Sequence, residues 1–198
     1  MVEAGGFLWT AAGAKWCASA LLRDVADIER WLAYPIRRRE CVQAGANVGV
    51  YPKALAAHFE TVYAVELDPD NFACLKANAM PANVRAFHGA LGERAGKVGM
   101  HASLPISHYV EGSGDIPVVT IDDFGLTRCD LIALDVEGYE LPALKGAEQT
   151  LERCRPVLVI ETKGHGERYG YSDEDLAQWL QDRGYTYAET IGNDAVWA

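Results

Sequence analysis

A glycine-punctuated turn and three acid-tipped apolar runs are the parts of this sequence that could do chemistry. In Cys41–Tyr51 (CVQAGANVGVY) an apolar segment passes straight into small residues. Ala44, Gly45, Ala46 and Gly49 keep the turn free of bulk, so that a ligand can lie against the backbone. A helix is expected to begin near Gly49, with its unpaired N–H groups facing the end of the strand. The glycines fall as G-x-x-x-G (Gly45, Gly49), with Ala46 and Asn47 between them. A dinucleotide cradle wants G-x-G-x-x-G, so the spacing favours a ligand without a pyrophosphate. Twenty-one residues after Gly45, the run Val62–Val65 ends at Glu66, where a strand-tip carboxylate can bind two ribose hydroxyls. Together the turn and the carboxylate suggest an adenosyl ligand; helix packing or an ordinary turn is the competing explanation of the glycines.

The other half of a site is written in Asp130–Asp135 (DLIALD), a short apolar run ending in an acid and followed at once by Val136, Glu137, Gly138, Tyr139 and Glu140. Val157–Ile160 is a third such run, ending at Glu161. Gly89-Ala90-Leu91-Gly92, after the strand pattern Asn83–His88, is a small-residue turn able to lie against a flat ring such as adenine.

These residues need a scaffold that brings strand ends together, and the rest of the chain supplies its rhythm. From Cys41 onward strands and helices alternate, which implies an α/β fold with a mostly parallel twisted sheet, helices on both faces and a ligand site at the strands' carboxyl ends. The first helix is expected over Val50–Phe59, with Pro52 in its opening turn. Asp68 caps a second, with Pro69 in its first turn and Phe72 and Leu75 facing inward. Gly96–Thr120 is looser, with strands around Lys97–Ala102 and Ile116–Thr120 forming a sheet extension or lid. Leu141, Leu144, Ala147 and Leu151 lie on one face of a helix that Arg155-Pro156 ends. Ser172, followed by Asp173, Glu174 and Asp175, is a capping box, and Gly184 stops that helix. Tyr185–Thr190 and Asp194–Trp197, parted by Gly192-Asn193, read as a terminal hairpin that adds an antiparallel strand.

Residues 1–35 form an N-terminal segment whose apolar stripe (Leu21, Leu22, Val25, Ile28, Trp31, Leu32) predicts a helix from about Ala18 to Tyr34, closed by Pro35. That stripe can pack on the main domain, 36–198, cover the substrate opening or support a homodimer.

At 198 residues and 49% hydrophobic, the chain can form one substantial core. A formal net charge of -10 argues against nucleic acid and anionic membranes as partners, and Arg37-Arg38-Arg39 is too short to reverse it. The five cysteines are scattered without C-x-x-C spacing, as expected for reduced thiols in the cytoplasm. No apolar stretch reaches membrane-spanning length, and the first residues make a poor export signal.

The sequence resembles the FkbM family of S-adenosylmethionine-dependent methyltransferases over roughly residues 40–198. VQAGANVGVY resembles the family's donor-binding turn, VYAVELDPDNFACLKAN its ribose segment and NVRAFHGALG its third strand. The block running from TIDDFGLTRCDLIALDVEGYELPALKGA to VLVIE carries the most specific part of the resemblance. It implies a Rossmann-like class I methyltransferase domain, S-adenosylmethionine as donor, and commonly O-methylation of a sugar or small natural-product hydroxyl. On this basis Gln43, Ala44, Gly45, Ala46, Asn47, Gly49 and Val50, with Glu66 and Leu67, hold the donor. Gly89, Ala90 and Leu91 border its adenine, and Asp135 stands where donor and acceptor meet. The family usually has an acid at the place of Gln43, near the donor's amino-acid end; the amide can hydrogen-bond there but cannot neutralise an ammonium group.

In-line methyl transfer to oxygen requires alignment and removal of one proton from a weakly acidic hydroxyl. Asp135 is the first candidate base, against a plain turn or capping role, and Glu137 the second, against compensation of a helix dipole. Glu161, closing the next strand, can touch the acceptor, against a purely structural hydrogen bond. Histidine titrates nearer neutrality, and His108 and His165 both lie in segments able to border the crevice. Asp135, Glu161 and His165 are conceivable ligands for a hard cation, but no compact metal motif is present, and none is assigned. The competing functions are a nicotinamide-dependent oxidoreductase, a non-catalytic adenosyl-binding module acting through a partner protein, and a nucleic-acid methyltransferase.

Overall fold

The computed structural model describes residues 1–34, 37–104 and 107–198. The chain opens with an antiparallel hairpin, β1 (Val2–Ala4) and β2 (Phe7–Trp9), followed by α1 (Ala11–Trp16) and α2 (Ala18–Asp24). A 3-10 turn over Val25–Asp27 then leads to α3 (Ile28–Trp31). The single helix expected from Ala18 to Tyr34 is therefore broken, and the packing explains the break. Leu21 and Leu22 pack with Trp9, Val48 and Val50, whereas Ile28, Trp31 and Leu32 pack with Leu55, Phe59 and Val159. One straight stripe would not serve both clusters. Pro35, expected to close that helix, lies outside the described residues. The opening hairpin, which the residue pattern did not suggest, is tied down by Asn78: its side-chain amide accepts from Leu8 N at 2.6 Å and donates to the carbonyls of Leu8 and Val48, each at 2.9 Å.

Next come β3 (Glu40–Ala44), α4 (Val50–Leu55), β4 (Thr61–Glu66), α5 (Pro69–Ala77) and β5 (Val84–His88). The helix expected to reach Phe59 stops at Leu55 and finishes in a turn. Asp68 caps α5 as read, accepting from Asn71 N at 2.7 Å, and Leu75 is fully buried. Phe72 is only partly buried and stacks on His88, with ring centroids 5.2 Å apart.

Ala90–Leu91, read as part of a turn, is a short strand, β6, and the loose segment Gly96–Thr120 holds more structure than its composition suggested: β7 (Gly96–Val98), β8 (Met100–Leu104), β9 (Ser107–Val110) and β10 (Ile116–Val119). It does not extend the main sheet. β6, β10 and β7 form a small sheet of their own, and β8 with β9 a separate hairpin.

The second half runs β11 (Cys129–Leu134), α6 (Glu140–Lys145), α7 (Glu148–Cys154), β12 (Val157–Glu161), α8 (Asp173–Gln181), β13 (Tyr187–Ile191) and β14 (Asp194–Trp197). Where one helix was expected from Leu141 to Leu151, α6 and α7 are separated at Gly146-Ala147. A Cβ on Gly146 would stand 2.0 Å from the carbonyl oxygen of Gly92, so the chain turns where the two backbones touch. Asp122 caps the new helix, accepting from Gln149 N at 3.0 Å and Thr150 N at 2.8 Å. The capping box of α8 is present in both directions, at 3.1 Å (Asp175 N to Ser172 Oγ) and 2.8 Å (Ser172 N to Asp175 Oδ2).

The main sheet has the order β13-β14-β12-β11-β3-β4-β5. The four pairings that join its five strands from β12 to β5 are all parallel, and β14 joins β12 antiparallel as part of the outer hairpin expected from the sequence. Both faces are covered: Val42, Ile132 and Leu134 belong to one core, and Cys41, Leu131 and Ala133 to the other, as the two-residue period of a strand requires. The strand order reverses between the neighbours β3 and β11, and a crevice opens above their carboxyl ends. No helix of the described residues is long and apolar enough to cross a membrane.

Candidate active site

Because the parallel strands end at one level, the residues that follow them share a crevice of about 830 Å³. Its floor is Ala44 and Gly45 after β3, Glu66 and Leu67 at the tip of β4, and Gly89 to Leu91 after β5; Asp135 and Glu137 follow β11, and Glu161 closes β12. Part of the wall comes from the N-terminal segment, through Cys17, Leu21, Asp24 and Asp27.

Gly45 has φ +79°, and a Cβ there would stand 1.9 Å from the carbonyl oxygen of Asp135. The bareness of this turn therefore serves a contact different from the one expected. It lets the end of β11 approach the end of β3, and the crevice floor is closed by that contact. Asn47, at φ 49°, also adopts the left-handed conformation, and its backbone N–H donates to Glu66 Oε2 at 2.6 Å. Asp68 N donates to Glu66 Oε1 at 2.8 Å. Glu66 is thus aimed and held by two backbone donors, with lone pairs left on both oxygens. Burial pushes its carboxyl up to about 7, opposed by those two hydrogen bonds.

At the other end, Asp135 and Glu161 lie side by side, and Lys163 Nζ pairs with Glu161. Burial first, and the neighbouring Glu161 second, hold the Asp135 carboxyl well above the usual carboxylate range. Asp194, on the terminal hairpin, is raised to about 7, chiefly by burial and then by Glu161. Glu137 sits at φ 57° between Asp135 and Gly138. Its carbonyl accepts from Arg168 Nη1 at 2.8 Å, and its Oε2 is 3.2 Å from His165 Nδ1. The turn is fastened from below by Glu140, whose Oε1 accepts from Val136 N and Gly138 N, each at 3.1 Å. His108 lines the opposite wall, with Nε2 3.8 Å from Asp68 Oδ2.

The structure therefore brings Ala44, Gly45, Asn47, Glu66, Leu67, Gly89, Ala90, Leu91, Asp135, Glu137, Glu161 and His108 to one crevice. Four expected donor contacts lie behind it. Ala46 packs against Ala64 and Leu75, Gly49 against Met80, and Val50 joins the Trp9 cluster. Gln43 points into a small chamber on the far side of Gly45, which it shares with Trp31, Tyr51, Asp135 and Asp194. Asp135, Glu161 and His165 do not converge as metal ligands; among the described residues no three His, Cys, Asp or Glu side chains do. Tyr51, Asn71, Tyr139, Lys163, Arg168 and Asp194 also line the crevice and were not singled out from the sequence. The Gly192-Asn193 turn was the available signal for Asp194. The others carry no local motif.

The comparisons agree with this geometry. The family model described as Methyltransferase FkbM domain matches residues 43–187. A hexuronic acid methyltransferase, AglP, from Haloferax volcanii is 27% identical over 151 residues, which are 70% of this chain and 62% of that protein. The chain thus spans less than two thirds of that relative. A crystal structure of methyltransferase FkbM from Methylobacillus flagellatus superposes with a TM-score of 0.57 at 21% identity, covering 82% of this chain and 44% of that one. Magnesium protoporphyrin IX methyltransferase from Synechocystis, solved with SAM bound, superposes with a TM-score of 0.54 at 16% identity, covering 96% and 84% of the two chains. At these identities the two superpositions speak for the fold, that of the class I methyltransferases, while the family match extends over most of the sequence. The chain belongs to the FkbM methyltransferase family.

Proposed function

We propose that the protein transfers the methyl group of S-adenosylmethionine to a hydroxyl oxygen of a sugar or small natural product. The observation that carries the reading is Glu66: a buried carboxylate at the tip of β4, fixed by the N–H groups of Asn47 and Asp68 and opening onto the crevice beside Gly45. Such a group is suited to accept the two hydroxyls of a ribose. The fit extends in both directions. Gly89, Ala90 and Leu91 offer a flat, small-residue wall to adenine. Gln43 Oε1 is buried without a hydrogen-bond partner, in a chamber whose other walls include Asp135 and Asp194. Asp135 and Asp194 also line the crevice itself, where they are acceptors for the donor's ammonium, while Gln43 stays behind Gly45.

When bound, the sulfonium donor supplies an activated methyl carbon. The chain has then to hold the donor and acceptor in line, exclude water and receive one proton. The carboxylates of Asp135, Glu137 and Glu161 line the end of the crevice away from Glu66, where an acceptor hydroxyl would enter. The archaeal relative's name, hexuronic acid methyltransferase, supports a sugar acceptor. Lys163 and Arg168, which line the same end, are cations that would suit an acidic sugar.

Calorimetric titration with S-adenosylmethionine, followed by transfer of labelled methyl from it to a panel of hexosides and hexuronides, tests the proposal. Saturable binding and incorporation of label into at least one sugar are expected. Absence of donor binding at high protein concentration would reject it.

A further inference from the structure

We propose that His165 receives the acceptor's proton and that Glu137 is the residue that positions it; the assignment rests on the methyltransferase reading above. Two kinds of acid-base group reach this end of the crevice, and their surroundings differ. Asp135 and Glu161 adjoin each other, with Lys163 on Glu161, so this pair is already engaged with itself and with a cation. Glu137 and His165 form a second pair, 3.2 Å apart, in the same crevice.

The second pair is built for direction. Glu137 is a non-glycine residue at φ 57°, a conformation that costs energy and persists only where neighbours enforce it. Here three contacts enforce it. Arg168 Nη1 donates to its carbonyl at 2.8 Å, and Glu140 Oε1 takes the N–H groups on either side, of Val136 and Gly138. Tyr171 Oη donates to the Gly138 carbonyl at 2.7 Å. Gly138 itself, at φ +99°, lies under His165, and a Cβ on it would stand 2.4 Å from the His165 carbonyl oxygen. The loop after β11 and the 3-10 turn His165–Tyr169 are therefore locked together, and the lock sets Glu137 Oε2 3.2 Å from His165 Nδ1. Nδ1 is buried and makes no well-aligned hydrogen bond, so Glu137 is the acceptor available to it. The imidazole also lines the crevice, and its Nε2 has no hydrogen-bond partner among the described residues.

A carboxylate beside Nδ1 keeps the neutral ring's proton there and leaves Nε2 bare toward the crevice. The acceptor hydroxyl then gives its proton to Nε2 while its oxygen lone pair closes on the methyl carbon and the carbon–sulfur bonding pair stays on sulfur. The positive charge that leaves the sulfonium reappears on the imidazolium, next to the Glu137 carboxylate, and the proton passes later to solvent.

Nitrogen-15 correlation spectra of the neutral His165 ring in the free protein decide the first point. A proton on Nδ1 in the unsubstituted chain, lost from that position in Glu137→Gln, is expected. A proton on Nε2 would overturn the assignment, because that nitrogen would then be unable to accept another. The second point uses any acceptor found in the labelled-methyl panel. His165→Gln should lower kcat by about 10²- to 10⁴-fold, with the affinity for S-adenosylhomocysteine unchanged, and Glu137→Gln should lower kcat with little change in KM. A His165→Gln enzyme within threefold of the parent in kcat would overturn the assignment. Failure of the unsubstituted protein to bind the donor would remove the methyltransferase reading and this role together, whereas an Nε2-protonated ring removes this role alone.

Discussion

Binding of the adenosyl donor should weaken as pH falls through neutrality, because Glu66 must be ionised to accept both ribose hydroxyls. No cation among the described residues forms a salt bridge with it. Two backbone N–H groups, at 2.6 Å and 2.8 Å, favour the carboxylate, but complete burial outweighs them and raises the group to about 7. Between pH 8 and pH 6 the ionised fraction of such a group falls roughly tenfold, and the association constant for S-adenosylhomocysteine should fall with it. Glu66→Gln abolishes the charge and sets an amide N–H against the N–H of Asn47 or Asp68. Its binding should be weaker by about 1.5 to 3 kcal/mol, the range for a hydrogen bond to a charged group, and should no longer respond to pH in this window. The free protein responds with the opposite sign. Glu66 binds its proton more tightly folded than unfolded, so its contribution to stability is fully present below the ordinary glutamate range and is lost as pH rises through about 7. Calorimetry at several pH values measures both. An affinity that stays flat from pH 6 to pH 8, or a glutamine variant that binds within twofold of the parent, would refute the reasoning.

Two substitutions test the scaffold independently of the chemistry. Gly45→Ala places a methyl 1.9 Å from the Asp135 carbonyl oxygen at a backbone angle of +79°; a loss of about 2 to 4 kcal/mol in urea-induced unfolding is expected, together with loss of donor binding. Ser172→Ala removes the cap of α8, which lies outside the crevice, and should cost about 1 kcal/mol of stability while leaving donor affinity unchanged.

Much of the fold was legible because the parallel strands are buried on both faces and short apolar runs ending in acids survive as local patterns. Glu66, Asp135 and Glu161 were each found in that way, as was the capping box at Ser172, whose partners lie three residues apart. Helix breaks were not legible. At Val25 and Gly146 the apolar period continues unbroken, and only the positions of Val48 and Gly92, distant in sequence, make the chain turn.

The chain's own residue order determined the α/β alternation, the acids at the strand tips and the glycine turn beside them, since each depends on neighbours within a few positions. Tertiary structure alone decided how those acids differ. Burial and proximity raise Asp135 beside Glu161, while a strained turn pinned by Arg168 and Glu140 sets Glu137 against His165. A carboxylate's proton affinity is set by what surrounds it in space, and those surroundings come from segments that no short stretch of sequence contains.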